Sequence, residues 1–322
     1  MFPEERMRRR RSGAGVRKML TEARLHPDDL VLPLFFDETI DNARCTGSMP
    51  GVPTHPLSDA GKLAEGLYSS GINAVMLFGI PRHKDGRGSG ADSADGVVQN
   101  AIRRIESNSD LAVIADLCMC EYTDHGHCGI LSRGDVDNDL TLLRYGEIAV
   151  SLADAGAHMV APSGMMDGQV SAIRGALDEA THKNVLIMAY SAKFCSSFYG
   201  PFRDIAHSTP SAGGRETYQM NPANGREAMS EIKLDVEEGA DIVMVKPAMP
   251  YLDVIRQARS EFDVPIAAYQ VSGEYSMIKA AAANGWLDER RAMMESLTSI
   301  KRAGADILIS YFAEAAAKEL RK

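Results

Sequence analysis

Eight short runs of apolar residues recur along the chain, separated by stretches in which apolar and charged residues alternate with helical spacing. The runs lack a regular alternation of apolar and polar positions, which is typical of strands that are buried on both faces. The sequence therefore predicts eight buried strands, over residues 31–36, 72–79, 111–119, 158–163, 185–192, 241–247, 265–271 and 306–312.

The stretches between these runs predict helices. The clearest helix covers residues 226–238, where Met229, Ile232 and Val236 share one face and charged residues occupy the other. Several of these stretches end in a glycine just before the next strand, and glycine accepts the left-handed conformation that ends a helix; these are Gly71, Gly156, Gly239 and Gly304. Further helices are predicted near residues 57–69, 97–107, 139–154, 167–181, 250–261 and 288–302.

Eight strands that alternate with helices indicate an α/β fold, namely a closed (β/α)8 TIM barrel. The alternative is an open, doubly wound sheet, but no G-x-G-x-x-G motif follows an early strand, which weakens that alternative. We expect residues 1–28 to form a basic arm that contacts another subunit, and residues 29–322 to form the barrel.

The composition is that of an ordinary globular protein, since 45% of the 322 residues are hydrophobic and 25% are charged. No apolar run approaches the roughly 20 residues of a membrane helix, and the N-terminal residues do not resemble a signal peptide. These features predict a cytoplasmic protein that does not bind a membrane.

The net charge of −9 is distributed unevenly, because residues 1–20 carry +5 and the remainder therefore carries −14. An acidic body argues against general binding of nucleic acid. The basic arm can embrace an acidic neighbouring subunit, extend into solvent as a frayed tail, or touch nucleic acid. We favour the first of these interpretations and place nucleic acid last.

Two long segments are irregular, which in a compact domain is typical of lids and binding loops. Residues 80–96 are rich in Gly and Asp, and residues 194–224, the predicted lid, contain Pro201, Pro210 and a Gly-Gly pair. Because TIM barrels carry their chemistry at the C-terminal ends of the strands, we expect the functional residues just after each run.

Two lysines follow neighbouring predicted strands. Lys193 ends the fifth strand and Lys246 ends the sixth, each among apolar residues. Adjacent strands lie about 4.8 Å apart, so both amines can share one pocket. Burial and repulsion between ammonium groups lower the pKa of such amines, and a neutral amine attacks a carbonyl to form a Schiff base.

Three of the five cysteines lie within eleven residues after the third strand, in the order C-x-C-x7-C. Cys118, Cys120 and Cys128 suit a soft or borderline ion such as Zn²⁺, and three protein ligands leave the open position of a catalytic site. The spacing also leaves a histidine ligand open. Asp116 precedes the cluster and can support the site or move protons.

Polar residues after the last two strands, and arginines in the lid, indicate sites for carboxylates. Ser272 and Tyr311 end the seventh and eighth strands, where two hydroxyl groups can hold one carboxylate. Arg203 and Arg215 lie in the predicted lid and can clamp a second carboxylate through their guanidinium groups.

These motifs together resemble the porphobilinogen synthase (5-aminolaevulinate dehydratase) family over essentially the whole chain. The most specific segments are VMVKPAMPYLDVI (243–255), YSAKFCSSFYGPFRD (190–204) and DLCMCEYTDHGHCG (116–129). The resemblance implies a hydro-lyase of haem biosynthesis that condenses two molecules of 5-aminolaevulinate asymmetrically into porphobilinogen, with loss of two waters.

The resemblance also assigns roles to residues of this chain. Lys246 and Lys193 each form a Schiff base with one substrate molecule, and the Cys cluster corresponds to the zinc-type version of the family rather than to the version that uses magnesium. The remaining assignments are proton transfer or support of the site by Asp116 and Ser163, binding of the first carboxylate by Ser272 and Tyr311, binding of the second by Arg203, Arg215 and Gln219, and closure of the lid by Phe202 and Tyr199.

Two implications of the resemblance concern assembly and control. Glu231 lies off the apolar face of its predicted helix, and some family members bind an allosteric magnesium at the matching residue. A solvated helix glutamate is an equally good interpretation. The family also assembles as homo-octamers in which N-terminal arms wrap a neighbour, which fits a basic arm on an acidic body.

Two other functions compete with this one. A Schiff-base aldolase that acts on another keto acid needs one lysine and no thiolate metal site. A metal-binding or nucleic-acid-binding protein without turnover gives the lysine pair no role. The paired lysines and the Cys cluster therefore both favour the synthase.

Overall fold

A computed structural model describes residues 1–321; Lys322, the last residue of the predicted barrel region, lies outside the described residues. Eight parallel strands pair in sequence order, and the eighth pairs with the first to close a barrel. The strands are β1 (Leu30–Asp37), β2 (Ala74–Ile80), β3 (Ala112–Leu117), β4 (Met159–Pro162), β5 (Leu186–Lys193), β6 (Ile242–Lys246), β7 (Ile266–Gln270) and β8 (Ile307–Ser310). The predicted TIM barrel is confirmed.

The helices surround this barrel. Those predicted between the strands are found within a few residues of their expected bounds, and the four predicted C-terminal glycines all have positive φ, from 86° at Gly71 to 127° at Gly304. The helices are α1 (Ala14–Met19), α2 (Ala60–Ser70), α3 (Val97–Glu106), α4 (Asn138–Asp154), α5 (Gln169–Glu179), α6 (Gly200–Ala206), α7 (Gly225–Glu237), α8 (Leu252–Glu261), α9 (Ser272–Ala283), α10 (Glu289–Ala303) and α11 (Ala313–Leu320).

The strands are hydrophobic throughout because both of their faces are covered. Every residue of β1, β6 and β7 is buried, with the barrel interior on one side and the helices on the other. Near the C-terminal ends of the strands the interior is filled by aromatic rings, including Phe35, Phe78, Tyr190 and Tyr269. This layer forms the floor of the cavity described below.

The N-terminal residues lie outside the barrel. A short 3-10 helix (Met7–Arg11) and α1 contain no buried residue. Their predicted contact with another subunit stays a prediction. None of the helices among residues 1–321 is long and apolar enough to cross a membrane. The cytoplasmic location likewise stays a prediction.

Four short strands lie outside the barrel order. Arg44–Cys45 pairs antiparallel with Pro53–Pro56, which extends the sheet beyond β1, and Leu131–Ser132 forms a hairpin with Asp135–Val136 after the Cys cluster. Within the predicted lid, the structure contains a 3-10 helix (Ser197–Tyr199) and α6. The lid is therefore partly ordered rather than wholly irregular.

Candidate active site

One cavity lies at the C-terminal ends of the barrel strands and collects most of the predicted site residues. Its free volume of about 20 Å³ holds roughly one water molecule. The predicted residues that line this cavity are Asp116, Cys120, Ser163, Lys193, Tyr199, Phe202, Arg203, Arg215, Lys246, Ser272 and Tyr311.

The two lysines are directly paired across neighbouring strands. Lys193 of β5 and Lys246 of β6 are partners in the strand register, and they are 4% and 7% exposed. The Lys193 ammonium donates a hydrogen bond to the backbone carbonyl of Ser163 at the end of β4. Register and burial together place both amines in one pocket, as predicted from their strand ends.

Lys246 is surrounded by aromatic rings. Its Nζ lies 4.2 Å from the ring centre of Tyr269, 4.8 Å from Tyr190 and 5.4 Å from Tyr199. Burial, reinforced by the charge of Lys193 and opposed by that of Asp116, lowers the pKa of Lys246 to about 7. A substantial fraction of this amine is therefore neutral and nucleophilic near pH 7.

Asp116 near the end of β3 is a carboxyl group that lines the same cavity as the lysine pair. Its Oδ2 accepts a hydrogen bond from the Ser163 hydroxyl at 3.2 Å, and Oδ1 is buried without a partner among the described residues. Burial raises the pKa of Asp116 to about 7, with Glu121 adding to the rise and both lysines opposing it. A carboxyl group with this pKa both accepts and donates protons near neutrality.

The Cys cluster forms a compact group of sulfur ligands. Cys118, Cys120 and Cys128 are all buried, and their sulfur atoms lie within 4.8 Å of one another, with 3.4 Å between the first two. Sulfur atoms bound to one Zn²⁺ at about 2.3 Å lie roughly 3.8 Å apart, so the group fits such an ion. His127 uses both ring nitrogens in contacts with Tyr218 and the Ala212 carbonyl. A thiolate metal site is thus available without a histidine ligand.

Ser272 and Tyr311 lie side by side at the ends of neighbouring strands. The Ser272 hydroxyl donates to the Phe198 carbonyl at 3.2 Å and accepts from the Phe202 backbone N–H at 3.0 Å. The Tyr311 hydroxyl lies 3.0 Å from that of Tyr269. Ser272 therefore contacts the lid directly, through Phe198 and Phe202.

The two lid arginines have spare hydrogen-bonding capacity. Arg215 is 5% exposed and donates through Nη2 to the carbonyls of Gly126 (2.9 Å) and Ser208 (2.8 Å). The Nε atoms of Arg203 and Arg215 are buried without partners among the described residues. Buried, unpaired guanidinium donors that face a cavity fit an anionic ligand.

Two aromatic residues of the predicted lid line the cavity. Phe202 packs against Phe35 and Phe78, with ring centres 5.6 and 5.1 Å apart. The Tyr199 hydroxyl donates to the Phe194 carbonyl and lies 3.2 Å from the Lys246 carbonyl. The lid therefore contacts both the barrel floor and the backbone of the reactive lysine.

Two predicted residues lie elsewhere. Gln219 and Glu231 line a second cavity of about 500 Å³, together with Asp167 and Glu227. Burial raises the pKa of Glu231, and the neighbouring carboxylates raise it further. The side-chain amide of Gln219 is buried without a partner among the described residues. The roles predicted for both residues stay predictions.

Two charged residues, one in this cavity and one beside it, were not predicted from the sequence. Glu121 follows the C-x-C motif, lines the cavity and is 3% exposed. Lys84 lies in the irregular loop after β2 and donates to the His207 carbonyl at 2.7 Å, at the end of α6. Glu121 follows Cys120 directly, and this position could have marked it as a site residue. Lys84 could not be found in this way, because its contact joins segments that are far apart in sequence.

Fold and site together define an enzyme of the (β/α)8 class with two buried lysines and two lid arginines in one cavity, beside a buried cluster of three cysteines. The sequence profile of the delta-aminolevulinic acid dehydratase family matches residues 4–319. This chain belongs to that family, which confirms the resemblance and the prediction of a dehydratase rather than an aldolase.

Individual relatives agree over their full lengths. The delta-aminolevulinic acid dehydratase of Mycobacterium tuberculosis is 53% identical over 98% of this chain and 97% of its own. That of Archaeoglobus fulgidus is 53% identical over 99% of both chains. The crystal structure of the Toxoplasma gondii enzyme in complex with its product porphobilinogen has a TM-score of 0.95 at 41% identity, covering 98% of this chain and 91% of its own.

Proposed function

We propose that this protein condenses two molecules of 5-aminolaevulinate into porphobilinogen with release of two waters, for tetrapyrrole biosynthesis. The observation that carries the proposal is the register pairing of Lys193 with Lys246 in one buried pocket. A single Schiff base needs one such lysine. Two paired lysines suit a reaction that activates two carbonyl substrates side by side.

In this proposal the neutral amine of Lys246 attacks the keto carbon of the substrate that becomes the propionate side. Water leaves and an iminium forms, which acts as an electron sink for the new C–C bond. Lys193 forms the second Schiff base with the other substrate molecule. Asp116 and Ser163, which are hydrogen-bonded to each other, take up and return the protons of these steps.

In the proposal, two groups of residues hold the carboxylates of the two substrates. Ser272 and Tyr311 hold the first carboxylate beside Lys246, and Arg203, Arg215 and Gln219 hold the second. Buried nitrogen donors without a partner on Arg203, Arg215 and Gln219 support the assignment of the second carboxylate. Phe202 and Tyr199 exclude water once the lid closes.

A metal completes the proposed site. Cys118, Cys120 and Cys128 would hold Zn²⁺, which supplies Lewis-acid polarisation of a substrate oxygen or binds the substrate amino group. Because all three sulfur atoms are buried and close together, the donor set favours zinc over magnesium.

Assembly and control are part of the proposal. The arm exposes Met1, Phe2, Met7 and Met19 among its basic residues, which supports packing on an acidic neighbour in a homo-octamer. Glu231, with Asp167 and Glu227 beside it, is the proposed site of an allosteric magnesium.

The first test is turnover of 5-aminolaevulinate by the reduced, purified protein, with porphobilinogen detected colorimetrically. We expect activity that disappears on chelation, provided metal analysis shows that the ion has left, and that returns with zinc. Activity that persists after the metal has left would keep the synthase and refute catalytic zinc. Absence of activity in the zinc-replete enzyme would refute the proposed function.

A further inference from the structure

Glu274, in the first turn of α9, is a buried carboxylate that the proposed mechanism does not use. It is 1% exposed, and both of its oxygens accept hydrogen bonds from backbone N–H groups. Oε1 accepts from Met249 at 2.6 Å, and Oε2 accepts from Val271 at 2.6 Å and from Ala248 at 3.4 Å. One side chain thus ties together two separate backbone segments.

These segments follow two neighbouring barrel strands. Ala248 and Met249 come two and three residues after Lys246 at the end of β6. Val271 lies between the end of β7 and Ser272. The ladder between β6 and β7 runs as far as the pair Val245–Ala268, so Glu274 links the two segments just beyond that ladder.

The proposed reaction needs a fixed distance between Lys246 and the residues that bind the carboxylate. Under the proposed function, one substrate bonds covalently to Lys246 while its carboxylate lies on Ser272 and Tyr311. The length of the substrate fixes the distance from its keto carbon to its carboxylate. The two protein groups must therefore keep their separation to within about 0.5 Å.

We infer that Glu274 is a positioning residue that sets the separation between Lys246 and the carboxylate-binding Ser272. It thereby favours keto acids with the spacing of the substrate. The inference rests on the proposed function, because that function makes Lys246 and Ser272 act on one substrate molecule.

The chemistry of the three bonds explains why a carboxylate stands here. All three partners of Glu274 are donors, so the side chain needs acceptors at both oxygens. Glutamine has nearly the same shape, but its NH2 group would face a backbone N–H and leave it unpaired. Glu274→Gln therefore breaks the link on one side with little change in volume.

The test measures how fast borohydride traps a Schiff base at Lys246, with two carbonyl probes. One probe is 4-oxopentanoate, which is the substrate without its amino group. The other is pentan-2-one, in which a methyl group replaces the carboxylate. Glu295→Gln, at an exposed position of α10, is the matched control, and Glu274→Asp keeps two acceptor oxygens on a shorter side chain.

We expect Glu274→Gln to slow trapping of 4-oxopentanoate roughly tenfold or more and to leave trapping of pentan-2-one unchanged. In a Ser272→Ala background the same change should have little further effect, since the carboxylate anchor has already been removed. Glu274→Asp should also lower the preference for the keto acid. Glu295→Gln should behave like the wild type.

The inference would be overturned if Glu274→Gln slowed the trapping of both probes equally, or if it had the same effect in the wild-type and Ser272→Ala backgrounds. Either result would assign Glu274 a general structural role. The same holds if neither Glu274 variant folds. Failure of the proposed function has a different signature, since the wild-type protein itself would then trap no 4-oxopentanoate at Lys246.

Discussion

The reactivity of Lys246 results from opposing influences on one amine. Burial and the neighbouring Lys193 favour the neutral form, whereas Asp116 and the faces of the surrounding rings favour the ammonium. The outcome is a pKa of about 7, so moderate changes in the neighbours shift the protonation of Lys246 at physiological pH.

Removal of the second charge should therefore move the pH dependence of Schiff-base formation. In Lys193→Met the Lys246 ammonium loses its repulsive neighbour, so its pKa should rise and trapping of 4-oxopentanoate should need a pH higher by about one unit. Asp116→Asn should shift the curve to lower pH, because it removes an attractive charge. Trapping rates measured between about pH 5 and 10 test the predicted direction of both shifts, since this interval is wide enough to resolve shifts of roughly one unit.

The exposed Lys183 provides the control for this series. Lys183→Met should leave the curve where it is in the wild type. Coincident curves for Lys193→Met and the wild type would contradict the electrostatic coupling of the two amines.

Arg215 gives a second prediction about a single residue. Its guanidinium donates to two carbonyls and keeps Nε free toward the cavity, which a lysine cannot reproduce from one ammonium group. Arg215→Lys should raise KM for 5-aminolaevulinate roughly tenfold, with a smaller change in kcat. Steady-state kinetics with the exposed Arg226→Lys as control test this, and an unchanged KM would refute a role in substrate binding.

Among the elements, the positions of the barrel strands were predicted more completely from the sequence than the residues that surround the cavity at their ends. The apolar runs and the glycines before them indicated the barrel, and the strand ends located Lys193 and Lys246. Helix α11, the four short strands outside the barrel and the extent of α9 were missed. The Ala-rich sequence of α9 carries little periodic contrast to mark its length.

Two residues that were not predicted from the sequence, Lys84 and Glu274, were missed for the same physical reason. Lys84 contacts His207, and Glu274 contacts Met249, across 123 and 25 residues of sequence. Such contacts depend on how the barrel brings loops together, and no local pattern encodes them. Glu121 differs, because its place directly after Cys120 was visible in the sequence.

The first turn of α9 packs so closely against the lid that one added methyl group tests the contact. A Cβ at Gly273 would lie 2.6 Å from the Phe198 carbonyl oxygen and 2.7 Å from its Cα, both backbone atoms. Gly273→Ala should displace the start of the lid and lower kcat roughly tenfold or more. Kinetics together with thermal unfolding separate this effect from loss of fold.

Gly175→Ala is the matched control for this change. Gly175 is exposed in α5 and has no atom within 4 Å of its missing Cβ. Alanine there should stabilise the protein by about 0.5–1 kcal/mol and leave kcat unchanged. Full activity in Gly273→Ala would show that the lid does not need this close contact.

The lid also packs on the loop that carries the cysteines. Arg215 contacts the Gly126 carbonyl, the Ser211 N–H donates to the His125 carbonyl at 3.0 Å, and Tyr218 contacts His127. Removal of the metal should loosen this loop and speed hydrogen exchange in residues 207–220. Unchanged exchange after verified metal loss would show that the lid is held independently of the thiolate site.

In the whole molecule, the N-terminal arm differs from the barrel in both charge and burial. Residues 1–20 of the arm carry +5 and none of residues 7–19 is buried, while the rest of the chain carries −14. Exposed apolar side chains on the arm, such as Phe2 and Met19, are 74% and 71% exposed in the isolated chain. Packing of the arm on an acidic copy of the same chain would both balance its positive charge and bury its exposed apolar side chains.

Deletion of residues 1–20 should therefore reduce the size of the assembly, measured by light scattering, while each barrel stays folded. A chain that replaces Arg8, Arg9, Arg10 and Arg11 with glutamate should weaken assembly through charge alone. Salt should weaken the wild-type assembly in the same direction, because surface attraction is screened beyond roughly 10 Å at 0.1 M ionic strength. If the deleted chain keeps the wild-type mass, the contacts between subunits lie on the barrel and the arm is a solvated tail.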